Sequence, residues 1–332
     1  MSNARDTDRE TVPPLQVPAR TIPTPQSISA MAQASLAPGR WDNGVVTFPP
    51  SEDVQTWRVM AAEANKGIAD AIGPYIDAMG VKVEKIEVGG VAVFDVTPGA
   101  LRPGSAERIY LDIHGGGLVY GAGDACRAMA ALAANRFRLR TWSVDYRMPP
   151  DDPYPAALDD CLTVYRALVQ DRGPENIVVG GSSAGGNLAA ALMLRARDEG
   201  MPLPAAVFLF TPEVDLTESG DTFKTNLGVD TVLRQSLAPF SALYAGGHDL
   251  THPYLSPLFG DFTKGFPPTF LQSGTRDLFL SNTVRLHRRL REAGVPAELH
   301  VFEAMPHGGF SGAPEDADLD AEVQRYLEVL WP

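Results

Sequence analysis

Two rhythms of apolar and polar residues alternate along this chain, and the switches between them predict its elements. VKVEKIEV and VAVFDV alternate with period two and are joined by Gly89-Gly90, which predicts an antiparallel hairpin. After the hairpin, apolar runs at 108–113, 138–144, 176–180, 205–210, 269–272 and 297–302 read as strands separated by helical patterns. One such pattern is 155–171, where Leu158, Cys161, Leu162, Tyr165 and Leu168 recur at steps of three and four and form a core-facing stripe. Strand and helix in turn predict an α/β fold, a mostly parallel central sheet flanked by helices on both faces. Before the hairpin, Val54, Trp57, Met60, Ile68, Ile72 and Ile76 have helical spacing and predict two short helices broken near Gly73-Pro74. Residues 1–25 are polar and proline-containing and read as an arm. Residues 211–255 interrupt the alternation and are expected to form a lid. The organisation expected is therefore an N-terminal arm with cap helices (1–80), a catalytic domain (81–210 and 256–332) and a cap insertion (211–255).

Composition narrows the function classes. With 44% hydrophobic and 21% charged residues in 332, the chain has material for a large core. Its 28 basic and 41 acidic side chains give a net charge of −13, which repels nucleic-acid phosphates and anionic lipid. Neither nucleic acid nor stable membrane attachment is expected. Two cysteines, Cys126 and Cys161, build no disulfide scaffold and sit in apolar helical patterns. The opening residues lack the apolar run of a secretory signal, so a cytoplasmic location is expected.

The chemistry concentrates at strand ends. In IVVGGSSAGGNLAAALML a buried-type strand enters Gly181-Ser182-Ser183-Ala184-Gly185 and leaves as a helix, which is G-x-S-x-G in the setting that exposes a serine hydroxyl. A glycine-rich turn that merely packs helix on sheet is the bland alternative. LDIHGGGLVYG ends an earlier strand and presents backbone N–H groups through Gly115, Gly116 and Gly117, donors suited to a developing oxyanion. His114 reads as an orienter of that loop. A serine nucleophile needs an acid and a histidine, which follow it in that order in this architecture. Of the later histidines, His287 lies on an arginine-rich helical face and His300 within a strand, whereas His307 stands in the loop AMPHGGF after the last strand. Asp277, in GTRDLF, is the acid expected, with Glu303 as its rival. His248 and His252 have i, i+4 spacing, but Gly246-Gly247 and Pro253 argue against the helix that a metal pair would need. No metal and no dinucleotide or phosphate loop is expected.

With HGGG at 114–117, VDYRMPPDDPYPAALDD at 144–160, GSSAGGN at 181–187, HPYLSPL at 252–258 and the GTRDLF and PHGGF loops, the chain resembles the bacterial hormone-sensitive-lipase-like esterases of the α/β-hydrolase superfamily, from about residue 81 onward. The resemblance implies an α/β-hydrolase fold with a helical cap, a triad of Ser183, Asp277 and His307, and an oxyanion hole from the amides of Gly116, Gly117 and Ala184. It implies no cofactor. Two positions depart from the family pattern: Ser182 stands where Asp or Thr is usual, and Pro150-Asp151-Asp152 replaces Pro-Glu-His. The function expected is a serine carboxylesterase acting on short- to medium-chain esters through an acyl-enzyme. Lactone hydrolysis by the same triad, and a non-catalytic small-molecule receptor on the same fold, are the alternatives. The expected partner is a small-molecule ester, with a homodimer as the assembly to test.

Overall fold

A computed structural model of the protein describes residues 13–37 and 47–332. Residues 1–12 of the expected arm lie outside that range. Alternating side chains on each strand face two different helix layers, and this sets the architecture. The strands are β1 (Lys82–Val88), β2 (Val91–Thr97), β3 (Ile109–Ile113), β4 (Arg140–Val144), β5 (Ile177–Ser182), β6 (Ala206–Phe210), β7 (Thr269–Gly274) and β8 (Ala297–Phe302). They form one sheet in the order β1-β2-β4-β3-β5-β6-β7-β8. The pairs β1/β2 and β2/β4 are antiparallel, and every pair from β4/β3 to β7/β8 is parallel.

Ile109, Leu111 and Ile113 of β3, with Ile177 and Val179 of β5, pack against α4 (Ala156–Arg172), α5 (Ala184–Asp198) and α8 (Leu280–Glu292). Tyr110 and Val178 face the other way, toward α3 (Asp124–Phe137) and α9 (Pro314–Leu330). The expected core stripe of α4 is buried throughout. Parallel strands place all their carboxyl ends on one edge, and the loops after β3, β5, β6, β7 and β8 meet there. Val214 and Leu216 belong to the main core, so the segment after β6 runs into the body of the protein before the chain reaches α6 (Thr222–Thr225) and α7 (Ala238–Ala245).

The expected pair of N-terminal helices is a single helix, α2 (Val54–Ile76), with Pro74 inside it. A proline in the last turn costs one backbone hydrogen bond and leaves the preceding turns intact, so the predicted break does not occur. The stop comes later, after a 3-10 turn at Asp77–Met79, where Gly80 takes φ 64°. The two ends of α2 dock on different partners. Ile76 packs on Ala128 and Ala131 of α3, while Trp57 meets Phe240 of α7 edge-on at 5.1 Å. Asp151, in one of the departures from the family pattern, pairs with Arg58 of α2.

A further short helix, α1 (Ala30–Ser35), lies behind the loop that follows β8. Ile28, Ala32 and Leu36 form a buried cluster with Ala304, Met305, Phe310 and Ala313. The Ser29 amide and hydroxyl donate to the Glu315 carboxylate at 2.6 and 2.8 Å. This segment thus backs the loop that carries His307. Ile28→Ala and Leu36→Ala should each destabilise the protein by about 2–4 kcal/mol, measured by equilibrium denaturant unfolding, because each leaves a cavity under that loop.

Candidate active site

The serine of the G-x-S-x-G string stands between β5 and α5 in a conformation that side chains rarely adopt, φ 58° and ψ −122°. Its own carbonyl accepts from the amides of Asn187 and Glu213, and its amide donates to Phe210. Bonds to three residues, one in α5 and two at the end of β6 and just beyond it, hold the strained turn. Close approach explains the neighbouring glycine: a Cβ on Gly185 would lie 1.8 Å from the Ile113 carbonyl oxygen. The loop after β3 packs directly on this turn, since a Cβ on Gly115 would be 3.4 Å from Cβ of Ser183. Gly116 has φ 130°, and any Cβ there would strike the Tyr120 carbonyl at 1.9 Å. Only glycine fits such a loop. Among the described residues, the amides of Gly116, Gly117 and Ala184 donate to no protein acceptor.

His114 is buried and neutral, its pKa lowered by burial to about 4. Its Nδ1 lies 2.8 Å from the Gly115 carbonyl, which can only accept, and its ring stacks on Tyr146 at 4.1 Å. The ring therefore braces its own loop. Ligand atoms of His114, Cys126 and Asp145 lie within 4.8 Å of one another. Burial, then the Asp145 charge, pushes the Cys126 thiol well up, so it remains protonated and is poorly suited to holding a metal. His248 and His252 pack around Tyr154.

Asp277 and His307 come together as a buried pair, with His307 Nδ1 3.0 Å from Asp277 Oδ1. Asp277 also accepts from Ser273 Oγ at 2.6 Å and from the Phe279 amide at 3.0 Å. The rival acid, Glu303, is exposed. Burial acts to lower the pKa of His307, but the hydrogen bond and charge of Asp277, with the charge of Asp230, outweigh it and the net shift is upward.

Two acidic residues that the sequence reading missed share this environment. Glu213, buried after β6, has Oε2 without a partner, and burial raises its pKa to about 8. A carboxylate directly after the all-apolar strand AVFLF, at the reactive edge of the sheet, was a usable signal for it. Asp230 accepts from the amides of both Leu278 and His307, and nothing in its local sequence announces that. Beside the glycine loop lies a cavity of about 390 Å³, walled by Trp57, Val119, Tyr120, Val232, Leu233 and Phe240.

Residues 110–311 match a family model described as the alpha/beta hydrolase fold. The chain belongs to the α/β-hydrolase family. Within this family it is a hormone-sensitive-lipase-like esterase, a carboxylic ester hydrolase whose substrates are small-molecule esters. It is 33% identical over 233 residues to an esterase of Acinetobacter venetianus, covering 68% of this chain and 74% of that one. It is 31% identical over 220 residues to an acetyl-hydrolase of Streptomyces hygroscopicus, covering 65% and 73%. The crystal structure of an esterase named E25 matches with TM-score 0.85 and 36% identity, over 94% of this chain and 98% of that one. An esterase from the bacterial hormone-sensitive lipase family matches with TM-score 0.72 and 28% identity, over 91% and 96%. No helix among the described residues of this hydrolase is long and apolar enough to cross a membrane.

Two pH effects follow. The raised His307 should place the acid limb of kcat/KM above the ordinary imidazole value of about 6.5 in a pH–rate profile, since only the neutral ring accepts a proton. Glu213 holds its proton from the ordinary 4.5 up to about 8 in the folded state only, so its contribution to stability is present at low pH and is lost as pH rises toward 8. Thermal melts from pH 5 to 9 should show a decline in the parent protein that is shallower in Glu213→Gln.

Proposed function

We propose that this hydrolase cleaves carboxylic esters through a serine acyl-enzyme. His307 removes the Ser183 proton as the hydroxyl attacks the ester carbonyl, and Asp277 holds the Nδ1–H tautomer and stabilises the imidazolium. The amides of Gly116, Gly117 and Ala184 take up the charge of the tetrahedral oxyanion, which collapses with protonation and loss of the alcohol. Water, activated by the same histidine, then attacks the acyl-serine and releases the acid. The observation that carries this reading is the buried Asp277–His307 hydrogen bond at the sheet edge where the strained Ser183 turn also lies.

The acyl group is assigned to the cavity of about 390 Å³, with α2 and the 211–255 insertion together as its cap. Trp57 from α2 and Val232, Leu233 and Phe240 from the insertion support that assignment, because both segments contribute walls. A half-open, mainly apolar space of this size suits short to medium chains, and each further buried methylene adds roughly 0.8 kcal/mol of binding until the space is filled.

The deciding experiment compares Ser183→Ala, Asp277→Asn and Glu303→Gln on p-nitrophenyl esters of two to eight carbons and on lactones. Ser183→Ala should fall to near background with an unchanged fold. Asp277→Asn should lose on the order of 10³–10⁴ in kcat through the wrong imidazole tautomer, and Glu303→Gln should stay within about twofold. A folded Ser183→Ala protein with near-normal turnover rejects the mechanism.

A further inference from the structure

The insertion contributes more than walls. Asp230 lies within it, 1% exposed, just before the cavity residues Val232 and Leu233. Its Oδ1 accepts from the amides of Val232 at 2.8 Å and Leu233 at 3.2 Å, and at the longer distance of 3.4 Å from the amide of His307. Its Oδ2 accepts at 2.8 Å from the amide of Leu278, the residue after Asp277. One side chain thereby joins three segments: the cavity wall, the acid loop and the histidine loop. We propose that Asp230 is a positioning residue through which the acyl-pocket wall and the Asp277–His307 pair share one anchor, so that the wall's position and the placement of the imidazole are coupled. This rests on the triad reading above.

The chemistry of the donors explains why a carboxylate stands here. All four groups aimed at it are backbone N–H donors, and only an ionised carboxylate offers acceptors on both oxygens. An asparagine would satisfy one side and turn an NH₂ against the amides on the other. A carboxyl this buried is costly to ionise, and burial raises its pKa to about 6, yet the amide bonds favour the charged form. A simple cap on its own turn would need only the bonds to Val232 and Leu233. The contacts to Leu278 and His307 reach 48 and 77 residues along the chain and serve no local turn.

The carboxylate also acts on the imidazole directly. His307 is faced by Asp277 and Asp230, each raising its pKa, by the protonated Glu213, and by the ring of Phe279 at 4.9 Å. Removing the Asp230 charge therefore lowers the His307 pKa and moves the acid limb of activity to lower pH.

The test uses full-length Asp230→Asn with p-nitrophenyl acetate and hexanoate across pH, together with an NMR titration of the His307 ring. The hexanoate kcat should fall about tenfold with KM within about twofold, as expected for a misplaced catalytic group. Acetate, whose two-carbon acyl group contacts less of the cavity wall than hexanoate's, should lose less. The acid limb and the ring titration should both move to lower pH. Should Asp230→Asn fail to accumulate, Asp230→Ser, which keeps one small acceptor, takes its place with the same readouts. A folded variant with unchanged kcat and ring titration overturns the proposal, as does a loss confined to thermal stability. Equal losses on the two esters overturn the coupling. The ring titration responds to Asp230 whether or not Ser183 is the nucleophile, whereas failure of the triad reading shows as surviving turnover in Ser183→Ala.

Discussion

A carboxylate with no solvent-exposed surface, Asp277, must have its lone pairs filled by the protein, and much of the architecture around the site answers that demand. Ser273 at the end of β7 supplies a hydroxyl, the chain turning into α8 supplies the Phe279 amide, and the loop after β8 supplies the His307 ring. Each donor belongs to a different stretch of backbone, so the acid cannot be satisfied unless β7, the start of α8 and the histidine loop are all in register. The packing behind them serves the same end. Met305 lies so close to β7 that a Cβ on Gly274 would be 2.0 Å from its carbonyl, and α1 closes the outer side of that loop.

The serine side of the site obeys a constraint of space. The turn after β5 sits under the end of β3, close enough that the Ile113 carbonyl excludes a side chain at Gly185. Within this crowded turn Ser183 takes positive φ, a strain offset by the bonds its backbone makes to Phe210, Asn187 and Glu213. Asn187 extends the restraint, its side-chain amide donating to the carbonyls of Glu213 and Leu255. The first turn of α5 is thus tied to the start of the insertion and to the segment that closes it.

What could be read from the chain beforehand tracks how local its cause is. The hairpin at Gly89-Gly90, the six later strands and the turn at Ser183 depend on neighbours in sequence, and they were legible to within a few residues. Arg138 was expected to begin β4, but it caps α3 in the left-handed conformation, φ 54°, and the strand starts at Arg140. Pro74 was read as a break because local rules ignore how little a proline costs in a final turn. In α1, AMAQAS buries only Ala32 and Ser35, too few positions for a periodic signal, and its role comes from Met305 and Phe310 far along the chain. The pairing of Asp277 with His307 was legible because each follows a strand at the same edge of the sheet. Asp230 was not, since its hydrogen bonds are to backbone amides, which carry no sequence identity.

Three carboxyl groups surround one imidazole, and they cannot all be charged at equal cost. Asp277 lies in direct contact with the ring through His307 Nδ1. Asp230 is set back behind backbone amides, so its charge is stabilised by dipoles and acts on the ring mainly as a field. Glu213 has neither arrangement: one oxygen is buried without a partner, and burial keeps the group protonated up to about pH 8. Between the two groups that burial raises, the amides aimed at Asp230 and the unpartnered oxygen of Glu213 thus account for the larger upward shift at Glu213.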